Sequence, residues 1–339
     1  MKRVVISDDF KEFEIHPPEL FDKYLEITEK ELGSLLKKWD LFDINCPACD
    51  SQKKEIMFNK FGMEYAECKN CKTLFVTPRP SDENIQDYHK SSKAMSFWKE
   101  HFYKETVFDR KRIMFRPRAL WVVNVTENYF NKPEWFIDVK SKYVEFIEEI
   151  RNLDLFENNI ILDPLIDANR LPKREEGLEV VNKKIEVYSK EFASANAISA
   201  LEVIDRMSNP EQFIKNARSM LVDDGLLFLT ASAISGFDLQ ILWDRSKSIF
   251  PLDHINLFSI EGITKLLEKN GFEIIELSTP GQLDLEIVKN AMKTYSDLKL
   301  PRFISYLIEK RDENAHREFQ DFLQRFNLSS HLRIAAQKK

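Results

Sequence analysis

All four cysteines of this 339-residue chain fall in two matched pairs, Cys46-Pro-Ala-Cys49 and Cys68-Lys-Asn-Cys71, with 18 residues between the pairs. A C-x2-C…C-x2-C pattern at that separation fits a zinc site, in which each pair forms a tight knuckle and four thiolates complete a tetrahedron. Two disulfides or four unrelated thiols are the alternatives. A cytoplasmic setting disfavours disulfides, and unrelated thiols would not all fall in matched knuckles. A closed set of four thiolates leaves no open coordination position, so the expected metal is structural rather than catalytic. A small zinc ribbon can bind nucleic acid, but a net charge of −6 and a pI near 5.7 give that role little support.

A second stretch bears on ligand chemistry. Phe136 to Ile150, FIDVKSKYVEFIEEI, reads as a buried strand turning straight into an amphipathic helix. Many nucleotide-binding α/β domains place a glycine-rich loop at such a turn. Here the turn carries Lys140, Ser141, Lys142 and Val144, with no glycine. The whole chain has only 8 glycines, none between Gly62 and Gly177. A tight loop lined by backbone and built on glycine is therefore excluded from that interval.

The elements around these residues follow from hydrophobic spacing. Residues 19–40 repeat apolar positions at helical intervals, namely Leu20, Tyr24, Ile27, Leu32, Leu35 and Leu36. The cysteine segment contains the β-like runs EIMFNKFG and TLFVTPRP, and residues 81–130 read as mainly helical and rich in aromatics, Arg and Lys. From Trp135 the pattern becomes short apolar strands alternating with amphipathic helices. Strands are predicted at 135–139, 159–163, 178–182, 196–201, 226–231 and 272–278, with SHLRIAAQ as a last one. Asn209, Pro210 and Gln212 mark one helix start, and Ser259 with Gly271 brackets another helix. This rhythm argues for a parallel sheet with helices on both faces. The expected division is 1–42 as an N-terminal helical segment, 43–80 as a zinc-binding ribbon, 81–131 as a helical connector and 132–339 as a Rossmann-like domain, with a helical insertion at about 282–329.

Composition is globular, 43% hydrophobic, 31% charged and 12% aromatic with 26 Phe, and offers ample length for a core. The opening MKRVVISDDF has no long apolar core, so no secretory signal is expected there. The longest apolar runs are strand-sized, far below the roughly 20 residues of a membrane helix. The expectation is a cytoplasmic protein with no membrane span and no nucleic-acid partner.

The order of these motifs resembles a known family. CPACDS…EYAECKNCKTLFVTPRPSDENIQDYH resembles the zinc-binding head of a group of class I S-adenosylmethionine-dependent methyltransferases, of which sugar C-methyltransferases are the best-known members. FIDV…IILDP…SALEVIDRMSNPEQFIKNARSMLVDDGLLFLT looks like their Rossmann core, and PLDHINLFSIEGITKLLEKNGFEIIELSTPG like their late helix and strand. The resemblance runs from about Cys46 to the C-terminus. It implies a structural zinc on Cys46, Cys49, Cys68 and Cys71, and S-adenosylmethionine across the carboxyl ends of the first strands. The implied cofactor positions are Asp138, Lys140, Lys142, Asp163 and Glu202, with Asp163 as the acid that accepts from the ribose; a turn-capping Asp before Pro164 is the plainer role. His254 becomes the candidate base, with Asp253 either orienting its ring or lying in solvent.

The departure lies in the loop. The family pattern resembles D-x-G-x-G-x-G, whereas this chain reads Asp138-Val139-Lys140-Ser141-Lys142-Tyr143-Val144. A valine at a left-handed position would be strained, so the loop is expected to take another shape, with two lysine stems in the cofactor's space. Arg206 also stands where the family often has His. Three functions remain in view. One is methyl transfer to a small, sugar-like acceptor, with a nucleotide-linked sugar as one form of it. Another is a pseudo-methyltransferase that serves as a binding or scaffold partner for a protein. The third is a site redirected to a phosphate-bearing ligand at Lys140 and Lys142. Tyr103, Arg110 and Arg112 could roof the pocket, although a solvated face suits so charged a helix better.

Overall fold

The computed structural model describes residues 10–140, 144–166 and 177–339. An N-terminal helix, Pro18–Leu35, leads into a small β region. There β1 (Leu41–Phe42) pairs with β5 (Arg79–Pro80), and β2 (Lys54–Lys60), β3 (Met63–Cys68) and β4 (Leu74–Val76) form an antiparallel meander. Phe61 and Gly62 close the β2–β3 turn with φ of +51° and +85°. Two successive left-handed residues suit a tight hairpin whose twist matches its strands. Helices Asp82–Ser91 and Lys93–Phe97 follow, and then a near-continuous helix from Trp98 to Glu127 with π-helical turns at Trp98–Phe102 and Lys111–Phe115.

The main sheet begins at β6 (Trp135–Val139) and adds β7 (Asn158–Leu162), β8 (Leu178–Val181), β9 (Ala195–Leu201) and β10 (Leu221–Ser232). A short β11 (Asn256–Leu257) precedes β12 (Phe272–Ser278) and β13 (His331–Lys338). The order of the seven strands is β12-β13-β10-β9-β6-β7-β8. Pairing is parallel from β8 to β10, while β13 runs antiparallel to both its neighbours. The strands expected from hydrophobic patterning are all present within a few residues.

Alternation along the strands fills two layers. Ile137, Val139, Ile160, Leu162, Ile198 and Leu229 pack with Phe213, Ile214 and Ala217 of the Pro210–Met220 helix and with Ile263, Leu266 and Leu267 of the Ile260–Lys269 helix. On the other face Phe136, Ile161, Ala197 and Phe228 meet Ala119, Val122, Phe146, Ile147 and Ile150. Each large side chain taken fully out of water contributes about 1.5–3 kcal/mol. Sheets covered on both faces carry such nearly continuous apolar strands.

The β region is joined to the main sheet through the chain. β11 adds to the edge of β4 as the fourth strand of the small sheet, Val76 N donates to Ile255 O at 2.9 Å, and Tyr65 Oη donates to His254 O at 3.0 Å. Gly262 lets the Ile260–Lys269 helix press against this region, since a Cβ there would lie 2.2 Å from Thr73 Oγ1. Residues 282–329 carry helices Asp284–Thr294, Arg302–Lys310 and Glu313–Arg325. Among the described residues, no helix is long and apolar enough to cross a membrane.

Candidate functional site

The four cysteines converge. Their sulfurs all lie within 4.8 Å of one another, with Cys46–Cys71 at 3.5 Å and Cys49–Cys68 at 3.6 Å, and none is in a disulfide. Tetrahedral thiolates at about 2.3 Å from a zinc ion stand roughly 3.8 Å apart, so the sulfur spacing suits that ion. Cys71 O accepts from Ser259 Oγ, and Ser259 also caps the following helix by accepting from Gly262 N at 2.9 Å. The cluster thus sits against the main core, with Cys46, Cys68 and Cys71 buried among its apolar residues.

The carboxyl ends of β6, β7 and β9 meet where strand order reverses, the usual ligand position in such sheets. A cavity of about 200 Å³ opens there, and its lining includes Lys140, Val144, Asp163, Val203 and Met207. Lys140 holds the first glycine position of the loop at φ +53°, and its Nζ reaches Met207 Sδ at 3.8 Å across the cavity. The left-handed backbone is thus kept, with a long cationic side chain added. Val144 is already the first residue of the Val144–Asn152 helix, so the strain expected for a β-branched residue does not arise there. Lys142, with Ser141 and Tyr143, lies outside the described residues.

Asp163 lines this cavity, and its Oδ1 also accepts from Leu165 N at 2.9 Å, so the turn-capping role is present too. Asp138 does not belong to the lining. It is fully buried and accepts from Ser199 Oγ, its register partner on β9, at 2.5 Å. Glu202 lies elsewhere. It ion-pairs with Arg118 at 2.5 Å and faces a second cavity.

That second cavity, about 270 Å³, lies beyond the ends of β9 and β10. Trp98 and Arg206 line both spaces. Arg206 Nε donates to Asp253 Oδ1 at 2.7 Å, while Tyr24 Oη donates to Asp253 Oδ2 at 2.6 Å. Asp253 is therefore buried and held by a guanidinium and a phenol, rather than lying in solvent. His254 lines the cavity, its ring edge-on to Phe250 at 5.0 Å. The solvated-face reading of the connector also gives way: Tyr103 lines the first cavity and Arg110 the second, both buried, while Arg112 remains outside, paired with Glu14.

Electrostatics in the second cavity are strongly perturbed. Burial pushes the Asp205 carboxyl up to about 8, against the lowering effect of Ser232 N–H, which donates to Oδ2 at 3.0 Å. Asp205 Oδ1 has no hydrogen-bond partner among the described residues. Burial, then the positive charge of Arg118, brings His331 down to about 3, and burial with Arg110 does the same for His16. Burial and the neighbouring Asp284 raise Asp238 well above the carboxylate range. Sequence patterning missed these groups. Asp205 stands inside the quoted EVIDR run, but His16, Asp238 and His331 carry no local signal, because their burial comes from elements far apart in the chain.

Comparison with known proteins adds the family. No curated protein matches the chain. Among solved structures, the plantazolicin methyltransferase BpumL in complex with SAH is 15% identical over 76% of this chain and 98% of its own, with a TM-score of 0.45. An SAM-dependent methyltransferase from Archaeoglobus fulgidus is 14% identical over 68% and 98%, at 0.44. The N-methyltransferase NodS from Bradyrhizobium japonicum WM9 is 12% identical over 66% and 86%, at 0.41. The model of a methyltransferase-domain family matches residues 94–277, more than half of the chain, and the chain belongs to this methyltransferase family.

Proposed function

We propose that the protein transfers a methyl group from S-adenosylmethionine to a small, sugar-like acceptor, with the cofactor in the Asp163 cavity and the acceptor in the larger one. The observation that carries this reading is the shared wall, since Trp98 and Arg206 line both spaces. Asp163 would accept from the ribose hydroxyls. The cofactor, when bound, supplies a sulfonium methyl; the chain's contribution is placement of the acceptor, which dominates such reactions. His254 is the candidate base, at the rim formed by the residues before β11. Cys46, Cys49, Cys68 and Cys71 would hold a structural zinc in a ribbon over 43–80.

A pseudo-methyltransferase that binds a protein partner is the second reading. Lys140 favours it, because its stem lies in the cofactor cavity and an ammonium repels a sulfonium. Calorimetry with S-adenosylhomocysteine and S-adenosylmethionine separates the two. Micromolar binding supports the enzyme, and no binding at millimolar ligand leaves the scaffold reading.

A further inference from the structure

The arginines of the second cavity are not equivalent. Arg118 pairs with Glu202 at 2.5 Å, Arg206 with Asp253 at 2.7 Å and Arg333 with Glu276 at 3.4 Å. Arg110 lines the same cavity, is 2% exposed, and has no carboxylate within ion-pair distance among the described residues. Its contacts are neutral. Nε donates to Thr106 Oγ1 at 3.0 Å, Nη2 to Ile15 O at 2.6 Å and Nη1 to Met114 Sδ at 3.6 Å. Its Cζ lies 5.6 Å from the ring centroids of both Trp98 and Phe102. A guanidinium has five N–H donors in a planar fork, so three contacts, one of them a weak sulfur acceptor, leave donors to spare. A cation removed from water without a counter-charge is costly, and buried charges in proteins are ordinarily paired.

We propose that Arg110 anchors the carboxylate of a small acidic ligand in the second cavity. A carboxylate suits the fork because it can accept two parallel N–H donors. The cavity, about 270 Å³, has room for a small ligand. The lining carries Glu202 and Asp253 paired with arginines, Asp284 held by Gln320, Ser329 and Ser330, and Asp205 and Asp238 whose carboxyls burial keeps protonated further up the pH scale. Arg110 helps to hold the Glu202 carboxyl down, but Glu202 forms its ion pair with Arg118. Trp98 joins this anchor to the first cavity, stacking on Phe102 at 4.1 Å while lining both spaces. The inference deepens the proposed function by making the acceptor a carboxylic acid, and it rests on the second cavity being the acceptor site.

The test uses the full chain without cofactor, so its outcome is independent of whether S-adenosylmethionine binds. Malonate and inorganic phosphate are titrated calorimetrically at ionic strength matched with sodium chloride, against wild type, Arg110→Lys, Arg110→Gln and the exposed control Arg112→Gln. Malonate should bind wild type and Arg112→Gln alike, and about tenfold or more weaker in both Arg110 variants. Arg110→Lys keeps the cation and decides the matter if Arg110→Gln does not fold. Malonate binding no tighter than chloride, binding unchanged by either Arg110 substitution, or phosphate binding more tightly than malonate overturns the proposal.

Discussion

The two cavities share Trp98 and Arg206 but are walled by different materials. The one at the ends of β6 and β7 is lined by a loop residue, a helix start and the capping turn at Asp163, with Lys140 reaching across it. Its neighbour is lined by ion pairs and buried carboxyls brought from the N-terminal segment, the connector helix, β9, β10 and β13. A side chain on a loop can be exchanged at small cost to folding, whereas removing one member of a buried ion pair costs about 3–5 kcal/mol. Substitution at the loop positions after β6 should therefore cost less than substitution in the second cavity, which is tied into the core.

That contrast can be broken most severely at the cysteines. The residues before β11 hang from the small sheet through Val76, Tyr65 and the β4–β11 pair. Metal analysis should find one zinc per chain. Structural zinc carries on the order of 10 kcal/mol of apparent folding free energy, so chelation or Cys68→Ser should unfold the small sheet. Hydrogen exchange should then rise in residues 250–258 and stay protected in β6 and β7. Equal loss of protection in both places would remove the distinction between the two cavities.

A milder test concerns the first cavity alone. Replacing Lys140, Lys142 and Val144 by glycine should tighten S-adenosylhomocysteine binding about tenfold, or ~1.4 kcal/mol, by clearing the Lys140 stem. Malonate affinity should not change. If nucleoside binding stays as weak as before, obstruction by the loop is not what limits it.

A pH dependence of the second cavity supplies the last test. Asp205 titrates near 3.8 when unfolded and about 8 when folded. The folded state keeps its proton where the unfolded chain has released it, so stability falls as pH rises from about 4 to about 8 and is level above. Asp205→Asn keeps an oxygen for Ser232 N–H and sheds the buried charge. Denaturant titrations at pH 5 and pH 9 should show the variant gaining about 1.4 kcal/mol relative to wild type for each pH unit crossed up to about pH 8. An identical slope in both proteins would place Asp205 in water rather than in the core.

Much of the frame was legible in sequence because it is written in local periodicity. β6, β7, β9 and β12 fall where apolar runs are bounded by polar turns, and Asn209 and Ser259 cap their helices as their side chains predict. The cysteine knuckles were legible for the same reason, each being a four-residue unit. β3 and β11 were not, since MEYAEC has mixed patterning and Asn256–Leu257 becomes a strand only by pairing with β4. The cavity assignments divided likewise. Lys140 and Asp163 were placed by strand ends, while Asp138 and Glu202 turned away toward Ser199 and Arg118, partners 61 and 84 residues distant.

What the sequence by itself determined is the strand-and-helix rhythm, the pairing of the cysteines and the absence of glycine after β6, all properties of neighbouring residues. Only the tertiary structure decided which charges are buried and which are answered. Arg110 and Arg112 are two residues apart on one helix, yet one is enclosed beside Trp98 and Ile15 and the other meets solvent and Glu14. Desolvation depends on what the rest of the chain packs against a group, and that is fixed by contacts far apart in sequence.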